Sequence, residues 1–314
     1  MIYVGIDVGG TTFKPGLVDE NGRILDHDSV PVTHGDTWQK QVADTALCVL
    51  KMLARSEIPL TEVHSVGVGV PGVIDSRTGH IAFCTNLGWY DVDFAGEFRK
   101  HLDKPVFIDN DATVAGLAEY AAGVSKGTHS SVFITLGTGV GGDIVLNGKV
   151  WSGFHGVGSE IGHMIIDLDG EPCTCGNRGC LERYCSATAI IRMARQALAE
   201  NPAGLMWEAC GGDPEQVNAR IVLDAAKRED PTASAVFSRY ISYLGRAIAN
   251  LIQILDPEVI VLGGGVSNAG DFLLDAVRAE VPKYLLYKDL PYSRIELARL
   301  SSEAGIIGAA MLGH

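Results

Sequence analysis

One pattern occurs twice in this chain: an apolar strand, a glycine-rich turn, a returning strand and an Asn-Gly hairpin. The first copy runs through residues 2–8, the turn Gly9-Gly10-Thr11-Thr12, residues 13–18 and Asn21-Gly22. The second runs through residues 130–136, the turn Gly137-Thr138-Gly139-Val140-Gly141-Gly142, residues 144–146 and Asn147-Gly148. Asn-Gly between apolar runs is a strong hairpin signal, because both positions tolerate positive φ. A pattern repeated in this way predicts a duplicated fold with a glycine turn in each half. Residues 258–262 form a third apolar run, and Gly263-Gly264-Gly265 follows it.

Glycine-rich turns after buried strands let backbone N–H groups converge on an anion, and threonines add hydroxyl donors. Any one such turn can serve merely as a hairpin, but three together favour a phosphate-bearing ligand. Two formal motif matches are excluded. Gly137, Gly139 and Gly142 fit G-x-G-x-x-G, with Glu160 about 20 residues on. However, Ile144-Val-Leu-Asn-Gly-Lys149 reads as strand and hairpin, and the dinucleotide fingerprint must open a helix. Gly148-Lys149 resembles the end of a P-loop, but Val150 stands where Ser or Thr is needed.

The remaining chain reads as mixed α/β. A strand is expected over 23–32, with Pro15 hinting at an edge or bulge in the strand before it. Apolar spacing predicts a helix over 37–56, and residues 63–70 read as a buried strand. A hairpin is expected near Thr78-Gly79, a helix over 92–102 and a strand over 105–108. That strand delivers Asp109-Asn110-Asp111 to a helix over 112–122. Further helices are expected over 186–200, 214–227, 232–255, 270–281 and 304–312.

A compact set of metal-binding residues follows the second turn: His163-x9-Cys173-x-Cys175-x4-Cys180. Three thiolates and an imidazole complete a tetrahedral zinc shell, and Gly176 and Gly179 free the backbone to wrap it. The alternative is a disulfide or buried thiols, although one intervening residue disfavours bonding Cys173 to Cys175. Four protein ligands leave no position for an activated water, so the metal is expected to be structural. Cys48, Cys84, Cys185 and Cys210 are scattered, which fits reduced thiols in a cytoplasm.

The 314 residues are 46% hydrophobic with net charge −13, enough for a large core and unfavourable for nucleic acid or anionic membranes. No apolar run reaches the roughly 18 residues of a membrane span, and Met1 leads straight into a strand, so no leader is expected. Among the carboxylates, Asp111 at a helix start can act as a general base, or Asn110 or Asp111 can cap the helix. Glu160 and Glu182, taken alone, read as surface carboxylates. Asp7, taken alone, reads as a strand-end carboxylate bonded to turn amides.

Gly158-Ser-Glu-Ile-Gly-His163 followed by Cys173-Thr-Cys175-Gly-Asn-Arg-Gly-Cys180-Leu-Glu182 resembles the signature of the ROK family (repressors, open reading frames and sugar kinases). Asp7-x-Gly-Gly-Thr with Lys14 resembles the first phosphate segment of the actin and hexokinase ATPases. Leu136-Gly-Thr-Gly resembles their second phosphate segment, and Gly263-Gly-Gly-Val their adenosine segment. The resemblance spans residues 2 to about 310. It implies a two-domain, ribonuclease H-like α/β fold with a zinc loop over 163–180. The small domain would be 1–109 with 301–314, and the large one 110–300.

The resemblance also implies roles. Asp111 would be the catalytic base. Asn110, Asp111, Glu160, His163 and Glu182 would bind a hexose. Asp7, Gly9, Gly10, Thr11, Thr12, Lys14, Gly137, Thr138, Gly139, Gly264 and Gly265 would bind ATP, with Mg²⁺ near Asp7. The structural Zn²⁺ would sit on His163, Cys173, Cys175 and Cys180. Asn86-Leu-Gly-Trp89 is similar to the glucokinase branch, which implies ATP-dependent phosphorylation of glucose to glucose 6-phosphate. The alternatives are allose, mannose, fructose or an N-acetylhexosamine as the sugar, polyphosphate as donor, or a non-catalytic sugar sensor. Repressors of the family carry a helix-turn-helix ahead of the first phosphate strand, which here begins at Ile2. Asp143 departs from the family pattern, in which a small residue stands beside the second turn. A cytoplasmic homo-oligomer, dimer or tetramer, is expected.

Overall fold

The structure is a computed structural model that describes residues 1–33 and 35–314, Ser301 by its backbone alone. The first segment runs β1 (Ile2–Val8), β2 (Thr12–Asp19), β3 (Ile24–His27), β4 (Val30–Pro31) and α1 (Trp38–Arg55). It continues through β5 (Val63–Val70), β6 (Val73–Asp75), β7 (His80–Cys84), β8 (Trp89–Val92), α2 (Phe94–Arg99), β9 (Val106–Asn110) and α3 (Asp111–Ala122). Next come β10 (Ser130–Leu136), β11 (Val140–Leu146), β12 (Lys149–Val150), α4 (Glu182–Cys185), α5 (Ala187–Glu200), α6 (Leu205–Ala209) and α7 (Ala219–Lys227). The chain ends with α8 (Pro231–Leu255), β13 (Val259–Gly263), α9 (Asp271–Glu280), β14 (Arg294–Leu297) and α10 (Ala304–Met311).

Two sheets repeat one order. The first is β3-β2-β1-β5-β9, with β4 also on β2, and the second is β12-β11-β10-β13-β14. In each, hairpin-linked strands lead to a central strand that continues into parallel neighbours: β1 with β5 and β9, β10 with β13 and β14. The duplication anticipated from the glycine turns is therefore a duplication of topology. A separate three-stranded sheet has the order β6-β7-β8.

The chain forms two compact units: 1–129, 143–158 and 299–314, and then 130–142 with 159–298. This grouping keeps residues 110–129 and 143–158 with the first unit, whereas the sequence reading put them in the larger domain. The expected strand 23–32 is two short strands on β2, Ile24–His27 opposite Gly16–Val18 and Val30–Pro31 opposite Thr12–Phe13, with a break at Asp28-Ser29. The expected helix 214–227 starts later. Val217 is extended, and Asn218 caps α7 by accepting the Ile221 N–H at 3.0 Å. Among the described residues no helix is long and apolar enough to cross a membrane.

In the first unit α1 and α2 bury Val42, Val49, Met52, Phe94 and Phe98 in one cluster with Val4, Ile6, Leu17, Val66 and Val68 of the sheet. A second cluster joins Tyr3 and Val18 to Ala118 of α3 and Ile306, Ile307, Ala310 and Met311 of α10. Helix α10 lies backbone to backbone on the sheet. A Cβ on Gly5 would collide with the Ile306 carbonyl, and one on Gly67 with the Ala309 carbonyl. Gly67→Ala should therefore cost at least the roughly 1–3 kcal/mol typical of overpacking. Urea unfolding of the purified variant measures this, and a loss below about 0.5 kcal/mol would contradict the packing account.

Candidate active site and metal centre

In the first unit, β1 and β2 present the first glycine turn. Gly9 N–H donates to Thr12 O at 3.0 Å and closes it. Asp7 stands at the end of β1, paired across the hairpin with Lys14, whose Nζ lies 3.7 Å from Asp7 Oδ2. Burial raises the Asp7 carboxyl above its ordinary range, and Lys14 opposes that rise. A Cβ on Gly10 would sit 3.5 Å from Asn86 Cβ, so the Asn86–Trp89 stretch borders this turn.

The parallel strand β9 delivers Asp109, Asn110 and Asp111 to the N-terminus of α3. Asn110 is the cap: its Oδ1 accepts the Ala112 N–H at 2.9 Å, and its Nδ2 donates to Gly72 O at 2.9 Å. Asp111 is the first helical residue behind that cap, and its Oδ1 shares the Ala112 N–H at 2.9 Å. Its side chain keeps solvent access within dense surroundings. That crowding raises its carboxyl, and the negative charge of Asp7 adds to the rise. Asp109 is also raised by burial.

Asp143 carries the fullest burial of these carboxyls. It is 1% exposed, and its Oδ1 has no hydrogen-bond partner among the described residues. A Cβ on Gly116 of α3 would come within 2.6 Å of Asp143 Oδ2. Burial, and then the charge on Asp109, push this carboxyl up to about 7. The departure noted in the sequence thus packs against the middle of α3.

In the second unit, the second glycine turn is shorter than expected, because β11 begins at Val140 and takes up Gly141 and Gly142. Gly137 N–H donates to Gly139 O at 3.0 Å. Glu182 Oε2 accepts the Val140 N–H at 3.0 Å. Ala187 N–H donates to Gly137 O at 2.8 Å, and Thr188 Oγ1 to Thr138 O at 2.8 Å. Sequence reasoning did not find Ala187 or Thr188; the only signal was the start of α5. At the third turn Gly264 takes φ 84° and packs on the Leu136 backbone, while Gly265 faces open space. Glu160 is exposed and immediately precedes the 3-10 turn Ile161–His163.

The four expected metal ligands converge: one donor atom from each of His163, Cys173, Cys175 and Cys180, all within 4.8 Å of one another. Cys173 Sγ lies 3.8 Å from His163 Nδ1, and Cys175 Sγ lies 3.6 Å from Cys180 Sγ. A tetrahedron with metal–sulfur bonds of about 2.3 Å has edges of roughly 3.8 Å, so this donor set fits zinc. All three are free thiols. Gly176 and Gly179, at φ 94° and 74°, make the backbone turns that bring them together. Cys175 is held down to about 7, first by a backbone hydrogen bond at Asn177.

Repeated sheets with glycine turns at their central strands, together with a Cys₃His loop, define a sugar-kinase type of ATPase fold. Residues 3–314 match the ROK family, and the chain belongs to it. It is 36% identical over 313 residues to a glucokinase of Thermotoga maritima, covering 98% of this chain and 96% of that protein. It is 38% identical over 312 residues to a glucokinase of Halalkalibacterium halodurans, covering 99% and 94%. A solved ROK family glucokinase from Streptomyces griseus, in complex with glucose and AMPPNP, superposes with TM-score 0.79 at 32% identity, covering 99% of both chains. Xylose repressors match at lower identity.

The raised Asp143 carboxyl gives a signed prediction. It is neutral in the folded state up to about pH 7 but ionises near pH 4 when unfolded. Stability is therefore unaffected below about pH 4, falls as pH rises from there to about 7, and is level above. Asp143→Asn should be more stable than the parent at pH 8, by on the order of 4 kcal/mol, and equal to it below pH 4. Denaturant titrations at both pH values test this; equal stabilities at pH 8 would mean that Asp143 is not buried as described.

Proposed function

We propose that this protein is an ATP-dependent glucokinase, transferring the γ-phosphoryl group of MgATP to the 6-hydroxyl of glucose. The observation that carries the reading is Asp111: a carboxylate that opens α3 behind the Asn110 cap, in a chain of which 98% and 99% match two glucokinases. In the reaction, Asp111 accepts the proton of the sugar hydroxyl, the hydroxyl oxygen attacks the γ-phosphorus, and the bond to the β-phosphate oxygen breaks to release ADP. Asn110, Glu160, His163 and Glu182 would supply further hexose contacts.

The first turn, with Gly9, Gly10, Thr11, Thr12 and Lys14, and the second, with Gly137, Thr138 and Gly139, take the phosphates. Gly264 and Gly265 take the adenosine end. Asp7 would help to hold Mg²⁺, which would supply neutralisation of phosphate charge. His163, Cys173, Cys175 and Cys180 would hold zinc, which would fix the loop that bears His163 and Glu182. If one imidazole nitrogen ligates the metal, the other carries the proton and can donate to a sugar hydroxyl.

Two measurements test the proposal. Coupled ADP release over a panel of hexoses should give the highest kcat/KM with glucose. A tenfold better value for allose, mannose, fructose or an N-acetylhexosamine would reassign the sugar, and no sugar-dependent ADP release at all would point to a sensor. Asp111→Asn should lower kcat by about 10²–10⁴ while leaving sugar and nucleotide binding largely in place. A folded variant that keeps more than about a tenth of turnover rules out the base assignment. Because Asp111 is raised, the acid limb of kcat should lie above the ordinary carboxylate range near pH 4, with activity lost as pH falls through it.

A further inference from the structure

The segment that bears the zinc ligands grips the second glycine turn from both sides of one residue. Glu182, two residues after Cys180, accepts the Val140 N–H through Oε2 at 3.0 Å. Its carboxylate lies so close to Gly139 that a Cβ there would strike Oε2. On the other side is Gly162, next to His163, where a Cβ would strike the Val140 carbonyl oxygen. Ile161 packs equally closely on Gly142. Two hydrogen bonds from the start of α5 complete the grip, Ala187 N–H to Gly137 O and Thr188 Oγ1 to Thr138 O, both at 2.8 Å.

The covalent path between the two sides is long, from Gly162 through the whole cysteine loop to Glu182. Backbone pairing narrows it: Ile166 N–H donates to Gly179 O and Leu181 N–H to Met164 O, both at 2.9 Å. A metal ligated by His163 and Cys180 would close the remaining gap, making a ring that passes through Val140, Gly162, His163, Cys180 and Glu182. The turn has no lysine or arginine of its own between Leu136 and Leu146, so its hold on an anion depends on aimed amides. Aimed amides bind well only when they are fixed in advance.

We propose that the Cys₃His loop acts as a positioning clamp on the Gly137–Val140 turn, with Glu182 as its contact residue, so that metal loading sets the affinity for nucleotide phosphates. The proposal rests on the nucleotide reading of this turn given above. It adds to Glu182 a role separate from sugar binding: one carboxylate oxygen is committed to the turn and the other remains for a hydroxyl.

The test is calorimetric titration with MgADP in the absence of sugar, together with hydrogen exchange of the Val140 amide. Chelated protein that remains folded by circular dichroism should bind MgADP about tenfold more weakly than zinc-loaded protein. Its Val140 amide should also exchange faster. Zinc-loaded Glu182→Ala should lose Val140 protection, whereas Glu182→Gln keeps an acceptor oxygen and should retain it. Thr188→Val should keep zinc and glucose affinity and bind MgADP about threefold more weakly. Unchanged MgADP affinity and unchanged Val140 exchange in the chelated protein would overturn the clamp. If chelation unfolds the protein, the same pair of results in zinc-loaded Glu182→Ala overturns it. Failure of zinc-loaded wild type to bind MgADP would instead overturn the nucleotide reading, and Val140 exchange would still decide the clamp.

Discussion

A helix can rest backbone on backbone against a sheet only where no Cβ stands between them. In the first unit Gly5 on β1 and Gly67 on β5 open that space, and α10 occupies it. The same helix meets α3 through Gly308, where a Cβ would strike the Val114 carbonyl, and meets Asp7 through Gly305. One close approach therefore fixes the end of β1 and the body of α3 together. Asp7 and Asp111 owe their mutual placement to it, because the first ends β1 and the second opens α3. A substitution far from either carboxylate, at Gly67 for example, would act on both through α10.

Two carboxyls in this unit are raised further by a neighbouring carboxylate, Asp111 by Asp7 and Asp143 by Asp109. Asp7, Asp109, Asp111 and Asp143 all lie above the ordinary range, and in each case burial is the largest cause. Lys14 is the cation that opposes the trend, and it acts on Asp7 alone. The helix N-terminus favours an anion at Asp111, but only by about 0.3–1 kcal/mol when exposed, too little to cancel desolvation. A carboxyl raised in this way takes up a proton more readily than an ordinary carboxylate, which suits a general base. Asp143 differs because its neutral form is the stable one. Against Gly116 it fills volume on α3, where an ionised group would repel Asp109.

Much of this was legible in residue order. The Asn-Gly hairpins appear where expected, with Asn147 and Gly148 both at positive φ. The zinc ligands were legible because their chemistry is compact in sequence. Long helices with strong periodicity, α1, α5 and α8, appear within a residue or two of the expected limits. Short strands were not legible: β8 and β14 have four residues each, too few to show a period, and depend on neighbouring strands. The place of Glu182 was hidden for a different reason. Nothing near it in sequence marks a hydrogen bond to Val140, 42 residues earlier. Asn110 and Asp111 were interchangeable as caps on local grounds. The extended backbone of Asn110, with its Nδ2 bonded to the Gly72 carbonyl just after β5, decides between them.

The two glycine turns share a topology and differ in what holds them, and the difference follows from charge. The first has Lys14 across its own hairpin, so an anion there would meet a full positive charge even if the turn flexes. The second must use backbone dipoles. Gly137 N–H is spent on Gly139 O and Val140 N–H on Glu182, which among the described residues leaves the Thr138 and Gly139 amides and the Thr138 hydroxyl. Two amides and a hydroxyl are partial charges whose attraction falls quickly as they swing out of line. A turn of this kind is useful only when it is rigid, and rigidity is what the 161–188 segment supplies. The negative charge of Glu182 beside such a turn would repel a phosphate if it were free to swing. Bound to the Val140 N–H, it is directed into the backbone, and its cost to an incoming anion is offset by the order it imposes on the amides that remain.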